Sequence, residues 1–164
     1  MDADTANADP ANADTARDRV DLRLICLAAE ATVVSLAVRL SLRQAGTGAT
    51  LRRFQRFAVG SPGRDPRPGD ARRSRQLQQI PRAVRAVGAR RPTRFACLPR
   101  SITTWVMLRR RGISADVRVG VSGTSADFAS HAWVELGGRP IGEDPHYVDS
   151  FCPLTIDSLV GGKQ

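Results

Sequence analysis

The sequence predicts an α+β domain in which N-terminal helices pack with a small antiparallel sheet. Apolar residues recur every three or four positions through the first half of the chain, the helical spacing. Val117, Val119 and Val121 alternate with polar or small residues over 116–121, the strand spacing, and SHAWVEL at 130–136 reads as a second strand with His131, Trp133 and Glu135 on one face. Gly137-Gly138 then separates the second run from a third, which signals a tight hairpin. The 164 residues suit one domain. Apolar residues make up 41% and aromatics only 5%, so one modest core of Ala, Val, Leu and Ile is expected.

Residues 1–18 are low-complexity and acidic, with five Asp against Arg17 and almost no large apolar groups. Such a segment cannot offset the entropy of ordering and predicts a disordered tail. The domain itself is expected over 19–155, with 156–164 as a tail or short helix. In the first helix, 19–43, Leu22, Ile25, Ala29, Val33, Leu36 and Leu40 form the apolar stripe, and Gly46 and Gly48 end it. A short helix over Leu51 to Val59 precedes a Pro- and Gly-rich loop at 61–70. The third helix spans Arg72 to Gly88 with Leu77, Ile80, Val84 and Val87 inward, and Pro81 is expected to kink or split it. RRP at 90–92 is the next break. Pro99 suits a first helical turn, so Cys97 falls at a helix N-terminus. Arg109, Arg110 and Arg111 fill the last turn, where cations suit the dipole, and Gly112 ends it. Strands follow at Asp116–Val121, Ser130–Leu136 and Arg139–Glu143, and 146–164 reads as loop.

The net charge of +9 is concentrated in the middle. Nineteen arginines lie between Arg39 and Arg111 against Asp65 and Asp70. A basic stretch of this kind attracts acidic partners. No Gly-aromatic RNA-binding signature and no paired Cys/His finger spacing accompanies it, so nucleic acid is not expected. Cys26, Cys97 and Cys152 cannot all pair with one another, and no secretory signal pattern is present, which predicts free thiols in a reducing cytoplasm. The apolar run from Leu24 to Val38 contains Glu30 and is short for a bilayer span, though contact with a membrane surface is compatible with it.

A thiol is mostly protonated at neutral pH, and a helix N-terminus lowers its pKa. Cys97 therefore reads as a nucleophile, His131 on the second strand as its base, and a carboxylate across the hairpin as the group that orients the imidazole. A two-residue turn at Gly137-Gly138 places Asp144 opposite His131; a three-residue turn places Glu143 there. Both carboxylates stay open on this reading. Cys26 reads as core, Cys152 as packing and His146 as a loop residue. Cys97, His131, His146 and Cys152 lack the paired spacings of a zinc site, so neither metal nor organic cofactor is expected.

CLPRSITTWVMLRRRGISADVRVGV followed by SHAWVELGGRPIGED resembles the leader peptidase of lasso peptide biosynthesis. This is the B protein, or the protease half of a split B protein, in the transglutaminase-like superfamily. The resemblance covers roughly residues 20–155 and is strongest from Cys97 to Asp144. It implies a transglutaminase-like, papain-like cysteine peptidase core with a Cys-His-Asp triad, in which Cys97 and His131 match nucleophile and base. By straight spacing from His131 the acidic position falls on Glu143, a Glu where the family has Asp, with Asp144 beside it. Members remove the leader from a ribosomally made precursor peptide, after which an ATP-using, asparagine-synthetase-like cyclase closes a macrolactam. Residues 1–18 leave no room for a leader-binding domain, so the expectation is the stand-alone protease half working with a separate small leader-recognition protein. Two other readings compete: a different Cys-His-Asp acyl transferase, of transglutaminase or amidase type, and a non-catalytic basic module that binds an acidic peptide or nucleic acid.

Overall fold

The structure, a computed structural model, describes residues 10–58, 69–89, 97–124 and 127–154. Its elements run α1 (Pro10–Ala58), α2 (Ala71–Ala89), α3 (Cys97–Arg109), β1 (Asp116–Ser122), β2 (Ala129–Leu136), β3 (Arg139–Pro140), α4 (Pro145–Val148) and β4 (Cys152–Leu154). The strands form one antiparallel sheet in the order β3-β2-β1-β4. The chain is thus α+β, as the periodicities predict.

α3 is the centre of the fold. Ser101 through Leu108 are all buried, because α1 and α2 cover one side of the helix and the sheet covers the other. A helix buried all round must satisfy its polar groups internally. Ser101 Oγ donates to Ala132 O at 2.7 Å, Thr103 Oγ1 to Pro99 O at 2.7 Å, and Trp105 Nε1 to Ala115 O at 2.9 Å. Its end is the Schellman motif that Gly112 predicts. Gly112 (φ 76°) donates to Arg109 O, Ile113 N donates to Leu108 O, and Ile113 and Leu108 are both fully buried.

α1 departs from expectation in three ways. It begins at Pro10, so residues 10–18, expected as disordered tail, are helical; proline fits a first turn, where its missing N–H costs nothing. Residues 1–9 lie outside the described residues. Gly46 (φ 71°, ψ −179°) kinks the helix rather than ending it, and Thr50 Oγ1 ties the kink by donating to Gly46 O at 2.7 Å. The inward face is also a different one. Leu22, Ile25, Ala29, Val33, Leu36 and Leu40, the predicted stripe, are all exposed, as is Cys26, predicted as core. The face that packs on the core is Ala31, Val34, Ser35, Val38 and Ser41, flanked by Leu27 and Leu42. Small residues let α1 approach the buried α3 closely, so the less hydrophobic face is the inner one. By length and composition the segment Leu22–Gln55 could also cross a membrane, despite the shortness of its most apolar run.

Asp70 caps α2, accepting from Arg72 N at 2.8 Å. Ile80 and Val84 point inward as predicted, but Pro81 neither splits nor ends the helix; it is buried against the loop that follows β3. Val59, most of the predicted loop at 61–70 and the break at 90–92 lie outside the described residues.

The sheet is covered on both faces. Val117 and Val134 join the helical core, and Trp133 joins Val148 and Phe151 in a second cluster on the opposite face. Gly137 and Gly138 have φ of 56° and 78°, the two left-handed positions of a type I′ turn, and Leu136 pairs with Arg139 as counted. The returning strand is shorter than predicted. After Pro140 only Ile141 N reaches back, to Val134 O at 2.8 Å, before Gly142 (φ 72°) turns the chain away. The C-terminal stretch predicted as loop instead contributes α4 and the edge strand β4. Pro153 fits this strand because an edge position tolerates proline. Residues 155–164 lie outside the described residues.

Candidate active site

Cys97 is the first residue of α3 and is half-buried. The orphan N–H groups of that first turn give its surroundings partial positive charge. One turn on, Arg100 shares its side of the helix. Its Nη2 holds Glu143 Oε1 at 2.7 Å, and the other carboxylate oxygen of Glu143 lies 3.8 Å from His131 Nε2. The structure thus links the start of α3 to His131 through Arg100 and Glu143. No hydrogen bond joins Cys97 to His131 among the described residues, and His131 Nε2 is buried with no hydrogen-bond partner.

The two candidate carboxylates are separated by this geometry. With a two-residue turn, register counting had placed Asp144 opposite His131. The turn is of that kind, but the ladder stops at Pro140, so counting beyond it fails. Asp144 caps α4, its Oδ1 accepting from His146 N at 3.0 Å. Glu143 is the residue turned to His131. Gly142 fixes this placement: a Cβ there would sit 2.5 Å from Pro81 Cβ, and its backbone is left-handed. Arg85 also donates to Gly142 O, fastening the loop to α2. Gly142→Ala is expected to cost about 1–3 kcal/mol in thermal unfolding and to displace Glu143.

His131 is only 7% exposed and lies under an aromatic cover. Its ring stacks on Trp133 (centroids 6.1 Å), meets Tyr147 edge-on (5.1 Å) and tilts against Phe151 (5.3 Å). Trp133 is therefore both core and wall; its Nε1 donates to Glu135 Oε1 at 2.7 Å. Gly120, paired with His131 across the sheet, leaves space for this cluster: a Cβ would come within 3.0 Å of Trp133, Phe151 and Cys152 O. Sequence spacing did not reveal Tyr147 and Phe151 as neighbours of His131, nor Arg100 as a partner of Glu143. The spacing of Arg100 three residues after Cys97 was the available signal. Cys152 and His146 are exposed, and no group of three or more His, Cys, Asp or Glu among the described residues could hold a metal ion.

Burial is the largest influence on His131 and pushes its pKa below 6.5; Glu143 raises it and Arg100 lowers it. The imidazole is therefore neutral at neutral pH, the state a base requires. Stability linked to this group is complete above pH 6.5 and falls as pH drops below it, because the unfolded chain takes up the proton first. If His131 is the base, the acid limb of a kcat/KM profile is expected to have its midpoint below 6.5. Arg100→Gln is expected to move it upward, since the variant removes a cation and leaves Glu143 in place.

A family model described as the transglutaminase-like superfamily matches residues 36–155. The chain belongs to this superfamily. Its members are typically Cys-His-Asp acyl transferases or proteases, and the matched span contains Cys97, His131 and Glu143. Comparison with curated proteins and with solved structures gave no significant match. In this transglutaminase-like domain the carboxylate that faces His131 belongs to a glutamate, Glu143.

Proposed function

We propose that the chain is a cysteine peptidase that removes the leader from a ribosomally made lasso peptide precursor before macrolactam closure. The observation that carries the chemistry is the Arg100–Glu143–His131 chain running from the first turn of α3, where Cys97 stands, to a buried neutral imidazole. The motif resemblance from Cys97 to Asp144 supports the substrate class. It also supports the partners: a precursor peptide, a separate small leader-recognition protein and an asparagine-synthetase-like cyclase. Three free thiols suit a reducing cytoplasm.

In this mechanism His131 comes within hydrogen-bond reach of Sγ in the substrate complex, a contact that free enzymes often lack. The imidazole takes the Cys97 proton and the thiolate attacks the last leader carbonyl. The developing oxyanion is met by backbone N–H groups at the start of α3. Collapse breaks the C–N bond, and the imidazolium, stabilised by Glu143, returns its proton to the departing amine of the core peptide. The leader stays on Sγ as a thioester. Water, deprotonated by His131, then releases it as a free acid and restores the thiol. No step calls on a metal or an organic cofactor.

The test is to incubate the chain with precursor and leader-recognition protein and identify both products by mass. A leader carboxylic acid and a core peptide with a free N-terminus are expected. An amide formed with an added primary amine, in place of the acid, would instead assign the chain to the acyl transferases of its superfamily.

A further inference from the structure

A groove of about 690 Å³ lies between the first half of α1 and the start of α2. Leu22, Cys26 and Leu27 give it an apolar side, and besides Arg111, which pairs with Glu30, its cations are Arg23, Arg72 and Arg75. None of these three arginines has a carboxylate partner among the described residues, and all three are exposed. Among the described residues its single acid, Glu30, is already neutralised by Arg111 at 2.5 Å and Arg110 at 3.1 Å. Among its described residues the groove is thus positive with an apolar side, and no aromatic ring lines it for base stacking.

The groove adjoins the far end of α3 from Cys97, since Arg111 lies just past the C-terminus of that helix. The rise from Cys97 to Arg109 is about 18 Å at 1.5 Å per residue. An extended peptide needs about six residues to cover that distance. We infer that this groove is an exosite for an acidic, partly apolar segment of the peptide substrate, at least about six residues from the cleaved bond. The inference rests on the peptidase reading for its substrate but on the groove alone for its ligand chemistry. It gives part of the basic middle of the sequence a role other than nucleic-acid binding.

The test uses the full chain carrying Cys97→Ala and a fluorescein-labelled peptide of about 16 residues made of Glu, Asp and Leu, read by anisotropy. Arg72→Glu with Arg75→Glu is expected to raise Kd at least about tenfold. Arg52→Glu with Arg53→Glu, on exposed positions outside the groove, is expected to change it less than about twofold. Binding is expected to weaken between about 50 and 300 mM salt. Arg72→Gln with Arg75→Gln, checked by its melting curve, replaces the reversal pair if that pair does not fold. Unchanged Kd in the groove variants overturns the proposal. So does equal binding of a peptide with Lys in place of its acids, or arginine-dependent binding of phosphatidylglycerol vesicles without binding of the peptide. In the active chain, an acidic segment about ten residues from the cleaved bond is expected to lower KM relative to one about two residues away. Cleavage without groove binding sinks the exosite and spares the peptidase; groove binding without cleavage does the reverse.

Discussion

Cys97→Ala is expected to lower precursor cleavage by at least about 10³-fold while leaving the fold in place. The thiol forms the only covalent bond to substrate in the proposed mechanism, so no neighbour can replace it. Its side chain is half-buried at the start of α3 and lies outside the clustered core, so loss of Sγ costs little packing. Circular dichroism and a melting curve within a few degrees of the parent separate loss of chemistry from loss of structure. Cys26→Ala and Cys152→Ala, both on exposed thiols, are expected to cleave normally. Cleavage that survives Cys97→Ala would remove the mechanism.

The second large effect separates the two acids beside each other in sequence. Glu143→Gln is expected to lower kcat by about 10²-fold or more, because the imidazolium formed during acylation loses the carboxylate that faces Nε2. Arg100 would be left without its partner, which adds to the cost. Asp144→Asn is expected to leave kcat within about threefold, since asparagine caps a helix as well as aspartate does. Asp144→Ala is expected to cost about 1 kcal/mol of stability through the lost cap and little activity beyond that. Steady-state kinetics on the three variants decides the matter. The reverse order, with Asp144→Asn inactive and Glu143→Gln active, would return the acidic role to Asp144.

Much of this site was legible because local signals carry it. Pro99 two residues after Cys97 marks a helix start, Gly112 marks its end, and Gly137-Gly138 fixes a hairpin that puts an acid near His131. Which acid depends on where the β3 ladder stops, and that is set by the packing of Gly142 on Pro81, sixty-one positions away in the chain. No spacing rule contains that contact. The reading of α1 failed for a related reason. The helix has two apolar faces, and Leu22, Val33, Leu36 and Leu40 make the stronger one. The face chosen by the fold is smaller, with Ala31, Ser35 and Ser41, because it must fit a neighbour, α3, that is itself buried all round. Helical periodicity detects apolar faces; it does not say which one finds a partner. The cover over His131 from Tyr147 and Phe151 escaped notice because it depends on α4, four residues long, and on the turn into β4, three residues long and containing a proline.

The central claim is that Cys97 takes the leader as a thioester. Acid quenching during the first turnover, followed by intact and peptide-level mass spectrometry, reads this directly. The expected result is an adduct equal to the leader acid less one water, on the peptide that contains Cys97 and absent from Cys97→Ala. Complete cleavage with no adduct at any time, or an adduct carried by Cys26 or Cys152, would contradict it.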